Sequence, residues 1–405
     1  APPSKSYTIR GLMCGALAKG KSQLINPLGS DDTEAAISVL RKVCVSIRQN
    51  KNSWTIDGSS FRTPDTDLYC GDSAATLRFM TALCAVIPGT HRLTAGASLS
   101  KRPVKPLIDA LRQLDVKCSA SGDLPPVVVE GGKLNGGTTS LPGDVSSQFV
   151  SALLQVAPLA EKSLTIKLTT PLESRPYVLM TMDTMQWFGI TVASRMELDE
   201  FEILPQKYEP TRYRIEGDWS SASYLLALGA LAGRVEVTNL PTETMQGDRM
   251  LLTYLSEMGT SVTVNKNSVT VAQGKLKSIT ANLTDCIDLL PTLAALAAVA
   301  QGTSRFTGIA RARIKESDRV AAMREGLVQM GIDVTEGEDY ITVAGGKPRG
   351  AVIDSKNDHR IAMAFSLLGT ITGNTIIGQA ECVTKTYPEF WDVLASLGGR
   401  VKLNG

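Results

Sequence analysis

A polar helix start followed by an apolar run recurs six times in this chain, at a period of roughly seventy residues. The starts fall near residues 5, 72, 146, 220, 288 and 358. The best-matched pair is Asp144-Val145-Ser146-Ser147 and Asp218-Trp219-Ser220-Ser221, each opening an apolar helix. Small polar residues in such a place cap the free N–H groups of a first helical turn. Behind each apolar helix comes a turn and a β-rich run, such as Gly233-Arg234-Val235-Glu236-Val237. A second, amphipathic helix follows in every copy, beginning near Asp31, Arg102, Arg175, Met245, Lys315 and Thr386. Strands ending in glycine come next, at 54–58, 127–131 and 340–345. An apolar helix must be buried all round and an amphipathic one half exposed. Six such units in 405 residues exceed one core, so the repeat divides into two α/β domains of three units each. The first copy is irregular, because only four residues precede Lys5. Either the first unit lacks its leading strand or the chain is trimmed.

Bulk properties narrow the function. With 42 basic and 40 acidic residues the net charge is +2, which gives no support for nucleic-acid or membrane-surface binding. No uninterrupted apolar stretch approaches the roughly twenty residues of a transmembrane helix, and the first residues do not read as a signal peptide. The seven cysteines, at 14, 44, 70, 84, 118, 286 and 382, lack CxxC spacing, and several fall in apolar helical runs as buried thiols. They point to a reducing compartment, and the expected location is cytoplasmic. Two histidines, His91 and His359, exclude a histidine-rich metal centre, and no metal site is expected. No phosphate-binding Gly-rich loop occurs in the strand–helix context that ATP or dinucleotide binding requires.

The helix starts carry the chemistry. They hold Lys5, Ser6 and Arg10; Asp72 and Arg78; Ser146, Ser147 and Gln148; Asp218 and Ser220; Asp288; and Asp358, His359 and Arg360. The second-helix starts add Arg102, Ser174, Tyr177, Lys385 and the run Arg313-Ile314-Lys315-Glu316-Ser317-Asp318-Arg319. Cations gathered at helix N-termini in a near-neutral protein imply a small polyanionic ligand bearing phosphate and carboxylate groups. Two acids stand apart: Asp288 heads an otherwise apolar helix, and Glu316 lies between Lys315 and Arg319. A carboxylate among cations is either an ion-pair member or a proton carrier.

These motifs resemble the 5-enolpyruvylshikimate-3-phosphate synthase family from end to end and in family order. The residues that carry the resemblance are Pro3-Ser4-Lys5-Ser6 with Arg10, the 71–78 segment, Lys101-Arg102-Pro103, Ser146-Ser147-Gln148, Ser174-Arg175-Pro176-Tyr177, Glu216-Gly217-Asp218, the 313–319 run, Asp358-His359-Arg360 and Lys385-Thr386-Tyr387-Pro388. The resemblance implies transfer of enolpyruvyl from phosphoenolpyruvate to the 5-hydroxyl of shikimate 3-phosphate, without a cofactor. It implies a two-domain inverse α/β barrel of six β-α-β-α-β-β repeats, three per domain, closing over the substrates. One domain would span 4–215 and the other 1–3 plus 216–405, with two crossings between them. A cytoplasmic monomer is expected.

By motif, shikimate 3-phosphate falls to Lys5, Ser6, Arg10, Ser146, Ser147, Gln148, Ser174, Asp288, Arg311 and Lys315. Phosphoenolpyruvate falls to Lys5, Ala74, Arg78, Arg102, Gln148, Glu316, Arg319, Arg360 and Lys385. Glu316 resembles the proton donor to the methylene, Asp288 the base at the sugar hydroxyl, and Lys5 the group assisting proton transfer and loss of phosphate. Two residues depart from the family pattern. Ala74 stands where a glycine borders the phosphoenolpyruvate pocket, and its methyl group implies poor binding of the bulkier inhibitor glyphosate. Asp72 replaces an asparagine and adds a negative charge beside an anion site, either pairing with a cation or weakening phosphoenolpyruvate binding. Arg311 stands where the family has a polar amide. The alternatives are the sister transferase acting on UDP-N-acetylglucosamine, for which Cys118 would be the proton donor, and a non-catalytic phosphosugar-binding module.

Overall fold

The computed structural model describes residues 1–58 and 60–402. The chain divides into two compact units: Pro3–Glu216, and Ala1–Pro2 together with Gly217–Gly405. Each has its own hydrophobic core.

In the N-terminal unit the helix starts are set by local capping. α1 (Lys5–Leu17) opens behind Ser4, whose hydroxyl accepts the Tyr7 N–H. α2 (Asp31–Lys42), α3 (Ala74–Cys84), α4 (Lys105–Arg112), α5 (Ser147–Val156) and α6 (Arg175–Trp187) follow. α1, α3 and α5 are buried along most of their length, whereas α4 buries only Leu107, Ile108, Ala110 and Leu111. The apolar and amphipathic helices thus occupy the inner and outer positions that their sequences require.

Three sheets accompany these helices. In the first, β1 (Lys21–Ile25) and β2 (Ser46–Asn50) flank β3 (Ser53–Asp57), antiparallel to both. In the second, β4 (Leu68–Tyr69) runs parallel to β5 (Gly89–Thr94); β5 pairs antiparallel with β7 (Leu124–Gly131), and β7 with β6 (Lys117–Ser121). The third repeats that order with β8 (Gly137–Leu141), β9 (Leu164–Leu168), β10 (Ala193–Ser194) and β11 (Glu200–Ile203) as β10-β11-β9-β8. Finally β12 (Arg212–Arg214) returns to lie parallel to β1, with Gln23 opposite Arg212. The first sheet therefore does have a parallel leading strand, contrary to the sequence expectation. It is supplied from the far end of the unit, a non-local pairing that no local pattern reveals.

The C-terminal unit contains α7 (Trp219–Ala232), α8 (Leu251–Glu257), α9 (Leu290–Ala297), α10 (Arg319–Gln329), α11 (His359–Thr372) and α12 (Phe390–Ser396). Its strands are β13 (Arg234–Thr238), β14 (Ser261–Asn265), β15 (Ser268–Ala272), β16 (Thr280–Asn282), β17 (Thr303–Thr307), β18 (Asp333–Gly337), β19 (Tyr340–Ala344), β20 (Val352–Asp354) and β21 (Ile376–Gly378). They form the sheets β13-β15-β14, β16-β17-β19-β18 and β20-β21 among the described residues. The amino terminus joins this unit: Ala1 donates to Thr238 O at 2.7 Å, and the Asp218 N–H donates to Pro2 O at 2.8 Å.

The glycines that end the third strands have a steric cause. A Cβ on Gly131 would lie 1.8 Å from Cys84 O, and one on Gly345 would lie 1.7 Å from Ala300 O. At both places the next residue donates to a carbonyl near a helix end, Gly132 to Ala85 O and Gly346 to Ala298 O. Close backbone approach thus satisfies carbonyls that a helix C-terminus leaves orphaned.

Several second helices begin later than the sequence pattern indicates. α4 starts at Lys105, α8 at Leu251, α10 at Arg319 and α12 at Phe390, each after a 3₁₀ turn (Leu99–Lys101, Gly247–Met250, Ala310–Ile314 and Ala380–Lys385). At 102 and 387 the following proline disfavours helical backbone. At 310 the backbone N–H groups are held by Asp339, as described below. Asp288 likewise sits in a 3₁₀ turn, Ile287–Leu289, just ahead of α9.

Candidate active site

In the N-terminal unit the starts of α1, α3 and α5 carry the expected residues. Lys5 Nζ lies 2.8 Å from Asp32 Oδ2, a carboxylate in the first turn of α2. Arg10 is 2% exposed. It donates to Thr181 Oγ1 at 2.8 Å, Ser6 O at 3.0 Å and Tyr177 O at 2.9 Å, so it ties α1 to α6. Burial pulls its pKa down to about 10, which leaves it cationic at neutral pH.

Arg78 draws three segments together. Its Nη1 donates to Ser146 Oγ at 3.0 Å and Gln148 Oε1 at 2.7 Å, and its Nη2 to Pro103 O at 3.3 Å. The guanidinium lies over the Phe149 ring, 4.7 Å from its centroid. Arg102 is the buried residue that closes the 3₁₀ turn Leu99–Lys101. Ser147 is buried in the first turn of α5, and Ser174 is buried at a left-handed backbone position heading α6. Ala74 is the first residue of α3 and is also buried. Asp72 acts on the backbone, since its Oδ1 accepts the N–H groups of Ser98 and Leu99 at 3.0 and 2.9 Å. The carboxylate therefore holds the turn that ends at Arg102.

The C-terminal unit centres on Arg319, which is 2% exposed. Its Nη1 donates to Asp288 Oδ1 at 2.7 Å and its Nη2 to Glu316 Oε2 at 2.7 Å. Its Nε donates to Asp358 Oδ2 at 2.8 Å. Burial opposes the charge of Arg319, but Asp358, Glu316 and Asp288 outweigh it and raise its pKa further. Around these acids stand more cations. Arg360 Nη2 is 3.1 Å from Asp288 Oδ2, Lys385 Nζ is 3.5 Å from Glu316 Oε1, and Lys315 Nζ is 3.9 Å from Asp288 Oδ1. Burial lowers the Lys315 pKa to about 8, partly countered by Asp288. Arg311 donates to Thr284 O at 2.9 Å. The structure thus joins Asp288, Lys315, Glu316, Arg319, Arg360 and Lys385 in one ionic network.

Sequence reasoning missed two contributors, Asp32 and Asp248. Asp32 pairs with Lys5. Asp358, already singled out among the helix starts, pairs with Arg319 and caps α11 through the Arg360 N–H at 3.0 Å. Asp248 is buried and accepts from Ser220 Oγ; burial and the charge of Asp288 push its pKa up to about 7. Only its position in the second-helix start of its repeat marks it in the sequence. Cys118 does not suit a mobile-loop proton donor. It lies in β6, its thiol donates to Ile108 O at 3.5 Å, and burial pushes its pKa up to about 11.

Comparison with known proteins shows the family of the chain. A family model described as EPSP synthase (3-phosphoshikimate 1-carboxyvinyltransferase) matches residues 1–394. The 3-phosphoshikimate 1-carboxyvinyltransferase of Dehalococcoides mccartyi is 50% identical over 402 residues, 99% of this chain and 95% of that relative. The enzyme of the same name from Methanothermobacter thermautotrophicus is 41% identical over 410 residues, 100% of this chain and 96% of that one. A solved EPSP synthase from Acinetobacter baumannii superposes with a TM-score of 0.83 at 28% identity, covering 100% of this chain and 96% of the other. The chain belongs to the EPSP synthase family, transferases of mixed α/β, two-domain fold. Its activity is that of a 3-phosphoshikimate 1-carboxyvinyltransferase. No helix among the described residues is long and apolar enough to cross a membrane.

Proposed function

We propose that Glu316 donates a proton to the methylene carbon of phosphoenolpyruvate. The neighbouring carbon then becomes cationic, and the 5-hydroxyl of shikimate 3-phosphate adds to it while losing its proton to Asp288. The new methyl group then returns a proton to Glu316 as the carbon–oxygen bond to phosphate breaks, and inorganic phosphate leaves. The observation that carries this reading is Arg319, whose two terminal nitrogens hold Asp288 and Glu316 at 2.7 Å each. One guanidinium thereby fixes an acid and a base relative to each other.

Lys5 assists proton transfer and departure of phosphate. Ser6, Arg10, Ser146, Ser147, Gln148, Ser174, Arg311 and Lys315 bind shikimate 3-phosphate. Arg78, Arg102, Arg360 and Lys385, with Arg319 and Gln148, take the charge of phosphoenolpyruvate and the leaving phosphate. The same reading gives an inverse α/β barrel of six repeats with two crossings between domains, acting as a cytoplasmic monomer. Ala74 narrows the phosphoenolpyruvate pocket by one methyl group and lowers sensitivity to glyphosate. Phosphate release from phosphoenolpyruvate, measured with and without shikimate 3-phosphate and with glyphosate titrated in, tests the reaction and the tolerance. Release independent of shikimate 3-phosphate would overturn the former, and inhibition at the concentrations that stop a sensitive enzyme the latter.

A further inference from the structure

The segment 308–318 carries Arg311, Lys315 and Glu316, yet it is mostly irregular: a 3₁₀ turn at Ala310–Ile314, then a connection to α10. A connection without a regular hydrogen-bond ladder needs other partners to hold one conformation. They come from the turn between β18 and β19. Asp339 accepts three backbone N–H groups in succession, from Gly308 at 3.2 Å, Ile309 at 2.6 Å and Ala310 at 2.8 Å. Arg313 then reaches the same turn, donating to Gly337 O at 2.5 Å and Glu338 O at 3.2 Å. It also bridges Glu336 at 3.3 Å and Asp318, the α10 cap, at 3.0 Å. The segment is thus clamped at its beginning by Asp339 and across its middle by Arg313, and the proton-donor position lies three residues past the second clamp.

We propose that the β18–β19 turn is the positioning element of the active site, with Asp339 and Arg313 as positioning residues that set Glu316 and Lys315 without touching substrate. This rests on the assignment of Glu316 as proton donor. A carboxylate acting on three successive N–H groups fixes the register of the segment. Its loss lets Arg311, Lys315 and Glu316 shift together. Arg360 and Lys385 lie on other segments, which Asp339 does not touch, and are expected to keep their places. Asp339 is itself solvent-exposed, so replacing it leaves the core untouched.

The test compares Asp339→Ala, Asp339→Asn and Glu316→Gln in the full-length enzyme. Readouts are kcat, KM for each substrate, and incorporation of solvent deuterium into the methylene of recovered phosphoenolpyruvate. Asp339→Ala is expected to lower kcat and deuterium incorporation by about 10- to 100-fold. It should raise KM for shikimate 3-phosphate and leave KM for phosphoenolpyruvate within about two-fold, a split that general damage would not produce. Asp339→Asn keeps a carbonyl acceptor and should recover most of kcat. Wild-type kcat in Asp339→Ala overturns the proposal, as does an equal loss in Asp339→Asn or a parallel rise in both KM values. Undiminished deuterium incorporation in Glu316→Gln overturns the assignment of Glu316 itself, whatever Asp339→Ala shows.

Discussion

Arg319 and Asp358 form an ion pair at 2.8 Å in which the arginine side chain is 2% exposed and the aspartate 0%. Asp358 also accepts from Ser317 Oγ at 3.0 Å and caps α11, so one carboxylate joins the segment that carries Glu316 to a core helix. Removing one member of a buried pair leaves an uncompensated charge. Asp358→Ala is expected to lower unfolding stability by about 3 kcal/mol, the low end for such pairs, because Arg319 keeps Asp288 and Glu316. Urea unfolding followed by circular dichroism measures this, and an unchanged midpoint would show that the pair contributes nothing net.

Lys5 pairs with Asp32, but Asp32 also lies in the first turn of α2, where a helix N-terminus favours a carboxylate. Folding therefore tolerates loss of the lysine. Lys5→Ala should reduce kcat by about 10²- to 10³-fold, the scale for removing one charge-stabilising donor. Its melting temperature should move by no more than a few degrees. A variant that melts far lower yet keeps its specific activity would contradict the catalytic role.

Ala74 occupies the first position of α3, directly after the Ser73 cap. Ala74→Gly removes one methyl group from the proposed phosphoenolpyruvate pocket and is expected to lower the glyphosate inhibition constant by at least about ten-fold, with KM for phosphoenolpyruvate falling less. Equal inhibition constants in the two proteins would remove Ala74 from the account of tolerance.

Lys315 supplies a pH dependence. Burial disfavours its ammonium form, so the side chain loses its charge as pH rises through about 8. With the role proposed for Lys315, its attraction for the sugar phosphate is present below that pH and lost above it. The profile of kcat/KM for shikimate 3-phosphate, which reports the free enzyme, should therefore fall on an alkaline limb near 8. Lys315→Arg should move the limb out of the measurable range. A limb that stays in place in the arginine variant assigns it to another group.

What the sequence made legible was local. Ser4, Ser146, Asp218 and Asp358 announce their helices because a cap and its N–H partner lie two or three residues apart. The cations of the site were visible for the same reason, since they cluster at those starts. Contacts that depend on distant chain segments left no such trace. Nothing in the 308–318 run signals that Asp339 takes its N–H groups. Nothing near Asp72 says that its carboxylate answers to Ser98 and Leu99 instead of standing loose beside an anion site.

The return of β12 to β1 has a consequence for how the protein is made. Ser22 and Thr211, hydrogen-bonded across this pair, are 189 residues apart in sequence. Until the later strand leaves the ribosome, β1 is an edge strand with a row of unpaired backbone groups. At synthesis rates of about 5–20 residues per second, that edge stays open for roughly 10–40 seconds. Such an edge is a template for mispairing with other chains. The growing polypeptide is therefore exposed to aggregation at this edge until its N-terminal unit is complete.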